Sequence, residues 1–453
     1  MTPIRSSGRR HFLKAATAAG LLGALQRGTA LAQGASDYKA LVCVFLQGGN
    51  DGENTLVRFD SPGYGNYTAI RPVSSGINIP QGQLLPIQPA RGGPPFGFHP
   101  ACGGLRSAFN AGKLAVVANM GALSQPSTRA ALLTQGAPRP LNLFSHPDQE
   151  LATQSADVRG ATRVGWAGRA ADRIEALAPG LFPSAIAINR LQTLVSGQKS
   201  VPLAVPENPF FFLFGTGAFD YDTLREAAMR ELLAEDFGDL YSLAAQRFTQ
   251  DGLSAASVMQ PILSNPASVV APLFAGLSSS VAKQLRSVAL LIEGRAQVNL
   301  KRQIFLVNQA SYDTHGGQSG VHQQLLSDLS QAINAFQLAM GVLGLSDSVT
   351  TFTLSEMGRT FKPAANGGTD HGWGNYAFVI GGAVKGGDFY GTVPTQALNG
   401  PDDLGDAGRW IPTTSIEQYG ATLARWFGIA EGDLPYVFPN IGAFGNTNLG
   451  FMA

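Results

Sequence analysis

Five stretches of this 453-residue chain gather side chains able to hold a cation or move a proton. QGGNDGENT (47–55) carries Asp51 and Glu53, and LFSHPDQE (143–150) carries Ser145, His146 and Asp148. QASYDTHGGQ (309–318) carries Asp313 and His315, SEMGRT (355–360) carries Glu356 and Arg359, and GGTDHGWGN (367–375) carries Asp370 and His371. Each has a plain alternative. Asn-Asp-Gly around Asp51 favours a turn. Ser145 reads as a helix N-cap, a geometry that also aims a hydroxyl and free N–H groups at an anion. Asp313 and His315, two residues apart, project to one side of an extended segment and could share a metal or a hydrogen bond. Asp370 is either a ligand or the group that orients His371, and Trp373 is a wall of the site or core. The joint case is stronger than its parts. Beyond residue 32 the only histidines are 99, 146, 315, 322 and 371, and three of these five sit in acid-containing loops. Hard carboxylates with imidazoles suit divalent ions such as zinc, manganese, magnesium or calcium, not copper or iron–sulfur. Two adjacent cations can activate a nucleophile and stabilise charge on a phosphoryl or sulfuryl group.

The elements that must position these loops alternate. KALVCVFLQGG (39–49) reads as a strand covered on both faces. HPACGGLRSAFNAGKLAVVANMG (99–121) reads as a helix and then a strand. Further strands are expected at 184–189, 302–308, 347–356 and 375–384, and helices at 221–250, 279–299, 322–345 and 415–429. This alternation predicts an α/β fold with a largely parallel sheet, whose function collects beyond the carboxyl ends of strands. The helical block near 205–280 interrupts the pattern and reads as an insertion.

SSGRRHFLKAATAAGLLGALQRGTALAQ has basic residues, no acid, a short apolar run and Ala30-Leu31-Ala32, the pattern of an export signal over residues 1–32. Arg9-Arg10 followed by Phe12-Leu13-Lys14 resembles the twin-arginine type. The expected location is therefore periplasmic or secreted, with the twin-arginine translocase as a partner during export. Residues 33–453 hold 27 basic and 31 acidic residues, which argues against nucleic acid as a partner. No later run is apolar enough for a membrane span, so none is expected after cleavage. Cys43 and Cys102 are the only cysteines; a disulfide is not expected, and a zinc site of four thiolates is excluded.

FLQGGNDGENT, LFSHPDQ, YDTHGGQ, SEMGRT, GGTDHGWGN and IPTTSIEQYGATLARWFG, in that order behind the signal, resemble the bacterial exported family called domain of unknown function 1501. The resemblance runs over essentially all of 33–453. That family is grouped with the alkaline-phosphatase-like superfamily of phosphatases, sulfatases and phosphoglycerate mutases. The resemblance implies one domain over 33–453, a central mostly parallel sheet with helices on both faces, and divalent metal ions. It implies Asp51, Asp313, His315, Glu356, Asp370 and His371 as candidate metal ligands. Ser145 would be the nucleophile, with His146 beside it and Arg359 holding the oxyanion; Ser127 or Thr128 is a rival for the attack. Met357 stands where the superfamily has histidine. The implied activity is exported, metal-dependent hydrolysis of a small-molecule or glycan phosphate or sulfate ester. The alternative is a catalytically degenerate member acting as a periplasmic binding or partner protein.

Overall fold

The computed structural model describes residues 37–453 apart from 161, 178–181, 208–219 and 236. The export signal expected over residues 1–32 lies outside the described residues. Every element below belongs to the unit Lys39–Ala453.

Along the chain come β1 (Lys39–Leu46), α1 (Gly52–Thr55), β2 (Leu56–Arg58), α2 (Ser61–Ile70), β3 (Leu85–Ile87), β4 (Phe96–Phe98), α3 (Gly103–Asn110) and β5 (Leu114–Gly121). Then follow α4 (His146–Ser155), α5 (Trp166–Leu177), β6 (Ala185–Ile188), β7 (Leu203–Val205), α6 (Asp220–Leu232), α7 (Leu240–Leu263) and α8 (Ser280–Glu293). The last part holds β8 (Arg302–Gln309), α9 (Gln318–Val342), β9 (Val349–Leu354), β10 (Arg359–Ala364), β11 (Gly368–His371), β12 (Asn375–Ile380), β13 (Asp388–Tyr390), β14 (Thr414–Ser415) and α10 (Ile416–Phe427).

The main sheet runs β13-β5-β12-β9-β1-β8-β6-β7, with β14 also on β5. All its pairings are parallel except those of β12, which is antiparallel to both neighbours. This is the α/β architecture that the alternation of helices and strands predicts. Leu41, Cys43 and Phe45 pack into one cluster with Trp166 of α5 and with Tyr419 and Leu423 of α10. Their alternating neighbours Ala40, Val42 and Val44 are equally buried on the opposite face, where α8 packs on β8 and α9 on α8. A strand covered twice has no polar face to show, which is why 39–46 reads as unbroken apolar sequence. Cys43 and Cys102 are free and buried, as expected.

Two local differences from the sequence reading matter. The helical run expected over 221–250 is two helices, with Gly238 at positive φ and Asp239 capping α7 through Tyr241 and Ser242 N–H. More important, GGTDHGWGN is not a loop leading into β12. Its residues 368–371 form β11, paired antiparallel with β10 so that His371 stands opposite Arg359. The three-residue turn 365–367 ends at Gly367 with φ +68°, a common hairpin closure. β10 and β11 form a small sheet of their own. Among the described residues no helix is long and apolar enough to cross a membrane.

Candidate metal centre

β8, β1 and β9 are adjacent and parallel, so the loops that follow them leave the same edge of the sheet. The β8 loop supplies Asp313 and His315, the β9 loop supplies Glu356, and the β1 loop supplies Gly48. From above, α4 delivers His146 at its first turn, and the β10–β11 hairpin delivers Arg359 and His371. Two close approaches make this possible. A Cβ on Gly48, at φ +115°, would stand 2.3 Å from the Asp313 nitrogen, and one on Gly368 would stand 2.3 Å from the His315 carbonyl carbon. Only glycine lets these backbones touch.

Four ligand-type atoms converge. His371 Nε2 lies 3.0 Å from His146 Nε2 and 3.0 Å from His315 Nε2. Asp313 Oδ1 lies 3.4 Å from His146 Nε2, 2.9 Å from His315 Nε2 and 3.2 Å from His371 Nε2. Ligands held at 2.0–2.1 Å around a tetrahedral zinc ion stand roughly 3.3 Å apart, so these spacings have the scale of a coordination shell. His146, Asp313 and His371 offer ligand atoms that all lie within 4.8 Å of one another, a group that could hold an ion.

The opposite ring nitrogens settle which lone pairs are free. His146 Nδ1 donates to Glu356 Oε1 at 2.8 Å, His315 Nδ1 to Asp370 Oδ1 at 3.2 Å, and His371 Nδ1 to the Phe144 carbonyl at 2.7 Å. Each partner can only accept while the carboxylates are ionised. These partners favour the tautomer with the proton on Nδ1, and in the neutral imidazole that leaves the Nε2 lone pair facing the other rings. One proton could bridge one pair of nitrogens. Three nitrogens and a carboxylate oxygen are a donor set that could hold a cation.

The charges agree. Asp313, Glu356 and Asp370 surround the cluster, against one buried guanidinium, Arg359, whose Nη1 donates to Asp313 Oδ1 at 2.7 Å. Burial works against the charge on Asp313, but the Arg359 hydrogen bond and charge hold its carboxyl below the usual range. The Glu356 hydrogen bond raises His146 despite partial burial. His371 is lowered, first by burial.

Several expected roles change. Asp51 cannot be a ligand: its carboxylate accepts from Glu53 N, Asn54 N and Arg71 Nη2 on one oxygen and from Arg71 Nη1 and Gln318 Nε2 on the other. Five donors exhaust a carboxylate with about four lone-pair sites. Glu356 and Asp370, expected as ligands, bond the Nδ1 atoms of His146 and His315, on the side away from the cluster. Glu356 Oε1 also accepts from Gly48 N at 2.7 Å, so a carboxylate is fixed against the β1 loop. Arg359 is no free oxyanion holder; it spans Asp313, Thr369 and the Gly48 carbonyl and ties the hairpin down. His146, expected among the catalytic groups, belongs to the group that could hold an ion.

Ser145 is the N-cap of α4 but makes no cap bond; its hydroxyl donates to Asp148 Oδ2 at 2.6 Å. Thr128 caps the short helix Arg129–Thr134, and the Ser127 hydroxyl turns back to the Gln125 carbonyl. Trp373 is core, its Nε1 donating to the Ala122 carbonyl.

Residues 278–406 match the family described as Protein of unknown function (DUF1501). These residues include Asp313, His315, Glu356, Arg359, Asp370 and His371 but not His146. No curated protein matches. Similar solved structures include the PsFucS1 sulfatase from Pseudoalteromonas sp., 9% identical with TM-score 0.34, covering 90% of this chain and 71% of that one. Another is alkaline phosphatase from the Antarctic bacterium TAB5, 9% identical with TM-score 0.28, covering 76% and 92%. A third is the C-terminal periplasmic domain of EcEptC from Escherichia coli in complex with Zn, 9% identical with TM-score 0.26, covering 76% and 72%. Likenesses of this size carry no argument about activity.

Proposed function

We propose that this protein is an exported, metal-dependent hydrolase of phosphate or sulfate esters. The observation that carries the reading is the convergence of three Nε2 lone pairs and Asp313 Oδ1, with every Nδ1 proton already committed. Three imidazoles and a carboxylate suit zinc best. His146, Asp313 and His371 would hold the ion, with His315 completing the set. When bound, the ion would act as a Lewis acid toward an ester oxygen and would lower the pKa of an attacking hydroxyl. The chain's own residues do the rest. Glu356, Asp370 and the Phe144 carbonyl fix the imidazole tautomers. Arg359 keeps Asp313 ionised. Ser145, next to a ligand and hydrogen-bonded to a carboxylate that can take its proton, is the nucleophile. The amide N–H groups at the start of α4 would face the developing negative charge. The signal at residues 1–32 would place this chemistry in the periplasm or outside the cell.

The test is turnover of p-nitrophenyl phosphate and p-nitrophenyl sulfate by zinc- and manganese-loaded protein. Hydrolysis of one, lost in Ser145→Ala with metal content retained, is expected. Inert, metal-loaded wild type would remove the enzyme reading. A second reading, a cation-binding protein without turnover, is favoured by one feature: Arg359 occupies the same Asp313 oxygen that an ion would need.

A further inference from the structure

Beside α4 lies a cavity of about 480 Å³ whose wall includes Glu150, Gln154, Arg163, Arg190, Gln192 and Thr193. It shares Pro147 and Asp148 with the first turn of α4, the turn that presents the ligand His146. Glu150 is four residues after His146, so the two lie on one helix face, about 5–6 Å apart at Cβ. The Glu150 Oε1 accepts from Gln47 Nε2, and the next residue, Gly48, donates to Glu356. A half-buried carboxyl thus stands one helical turn from His146 and lines a polar cavity. Burial pushes it above its usual range, and the nearby negative charge of Glu356 adds to this.

The lining suits a polyhydroxylated group. Gln154 Nε2 donates to Gln192 Oε1 at 3.0 Å, while Gln192 Nε2 is buried and, among the described residues, has no hydrogen-bond partner. A buried amide donor without an acceptor is costly unless a ligand supplies one. No hydrogen bond or ion pair of the Arg163 or Arg190 guanidinium is present among the described residues, so both remain available as donors.

Building on the hydrolase reading, we propose that this cavity holds the alcohol half of the ester, a sugar-like polyol, and that Glu150 protonates the departing oxygen. Attack forms the new bond to phosphorus or sulfur and breaks the bond to the alcohol oxygen. The bonding pair leaves on that oxygen, which takes the Glu150 proton. The Ser145 proton passes to Asp148. Water then attacks phosphorus or sulfur and gives one proton to Glu150, while the bond to Ser145 Oγ breaks and Ser145 takes back the Asp148 proton, so both carboxyls are restored with water as the only co-reactant. General acid catalysis matters most for a poor leaving group.

The experiment compares metal-loaded wild type and Glu150→Gln on two kinds of substrate: an aryl ester (p-nitrophenyl phosphate or sulfate) and a sugar ester (glucose 6-phosphate or 6-sulfate). The expected loss in kcat/KM for the sugar ester is about 100-fold or more, at least ten times the loss for the aryl ester. Glu150→Asp is expected to recover part of it, and Gln192→Ala to raise KM for the sugar ester with little change in kcat. Equal losses on the two esters, or none on the sugar ester, would overturn the proposal. Wild type that hydrolyses only the aryl ester would also overturn it and leave the hydrolase reading standing. Turnover of neither ester would remove both.

Discussion

Two acid–histidine clusters sit at the same edge of the sheet, and they solve opposite problems. Around Asp51, the carboxylate and its guanidinium partner are fully engaged. Arg71 is fully buried and forms a two-pronged ion pair with Asp51, while its remaining N–H groups reach Asn54 and the carbonyls of Thr360 and Phe361. His322 Nε2 is bonded to Asn50 Oδ1. Around Asp313, by contrast, His371 Nε2 faces His146 Nε2 and His315 Nε2 across 3.0 Å each, and His146 Nε2 lies 3.4 Å from Asp313 Oδ1. The first cluster is a closed knot that fastens the β1 loop to the neighbouring segments. The second is the candidate metal site. Residue types are the same in both; what separates them is whether donors outnumber or fall short of acceptors.

The comparison can be broken from either side, and the largest effect is expected at the site. His371→Ala removes the nitrogen that lies within 3.0–3.2 Å of His146, His315 and Asp313, so turnover should fall about 1,000-fold or more, with bound metal lost and the fold kept; near-UV circular dichroism and elemental analysis check both. At the knot, Asp51→Ala leaves the Arg71 charge buried and unpaired, a loss of about 3–5 kcal/mol in denaturant unfolding. Metal content per folded chain should stay the same, and a loss of metal without a loss of stability would reverse the two assignments. Glu356→Gln keeps the shape but weakens the acceptor of the His146 proton, so metal affinity should drop about 10–100-fold, measured by competition with a chelating dye.

The smallest effect is a slope. Burial holds His322 neutral with its pKa lowered to about 4. A histidine with a depressed folded pKa gives up stability as pH falls through the window from about 6.5 to about 4, because the unfolded chain binds the proton first. Between pH 6.5 and 5.5 the loss is at most about 1.4 kcal/mol for this group. His322→Gln should flatten the unfolding midpoint over that unit of pH; an unchanged slope would mean that His322 is not buried neutral.

Much of the fold was legible because strands covered on both faces read as solid apolar runs. KALVCVFL and RQIFLVN announce β1 and β8, and the glycines behind them announce the loops. The scarcity of histidine pointed to His146, His315 and His371 together. Three things were hidden. Lys362-Pro363 and the half-exposed end of β10 blur the alternation that marks a strand, although Asn366-Gly367 carried a hairpin signal. Asp51 looked like a ligand because its neutralising partner, Arg71, lies 20 residues away with no motif around it. The division between ligands and orienting acids is set by which imidazole nitrogen faces inward, and sequence spacing does not encode that.

The most direct test is elemental analysis of purified protein reconstituted with zinc and then dialysed, run beside His371→Ala. The account predicts at least about one tightly held divalent ion per wild-type chain and its loss in the variant at unchanged secondary structure. A wild type that holds no ion after reconstitution, or a variant that holds as much as wild type, would contradict it.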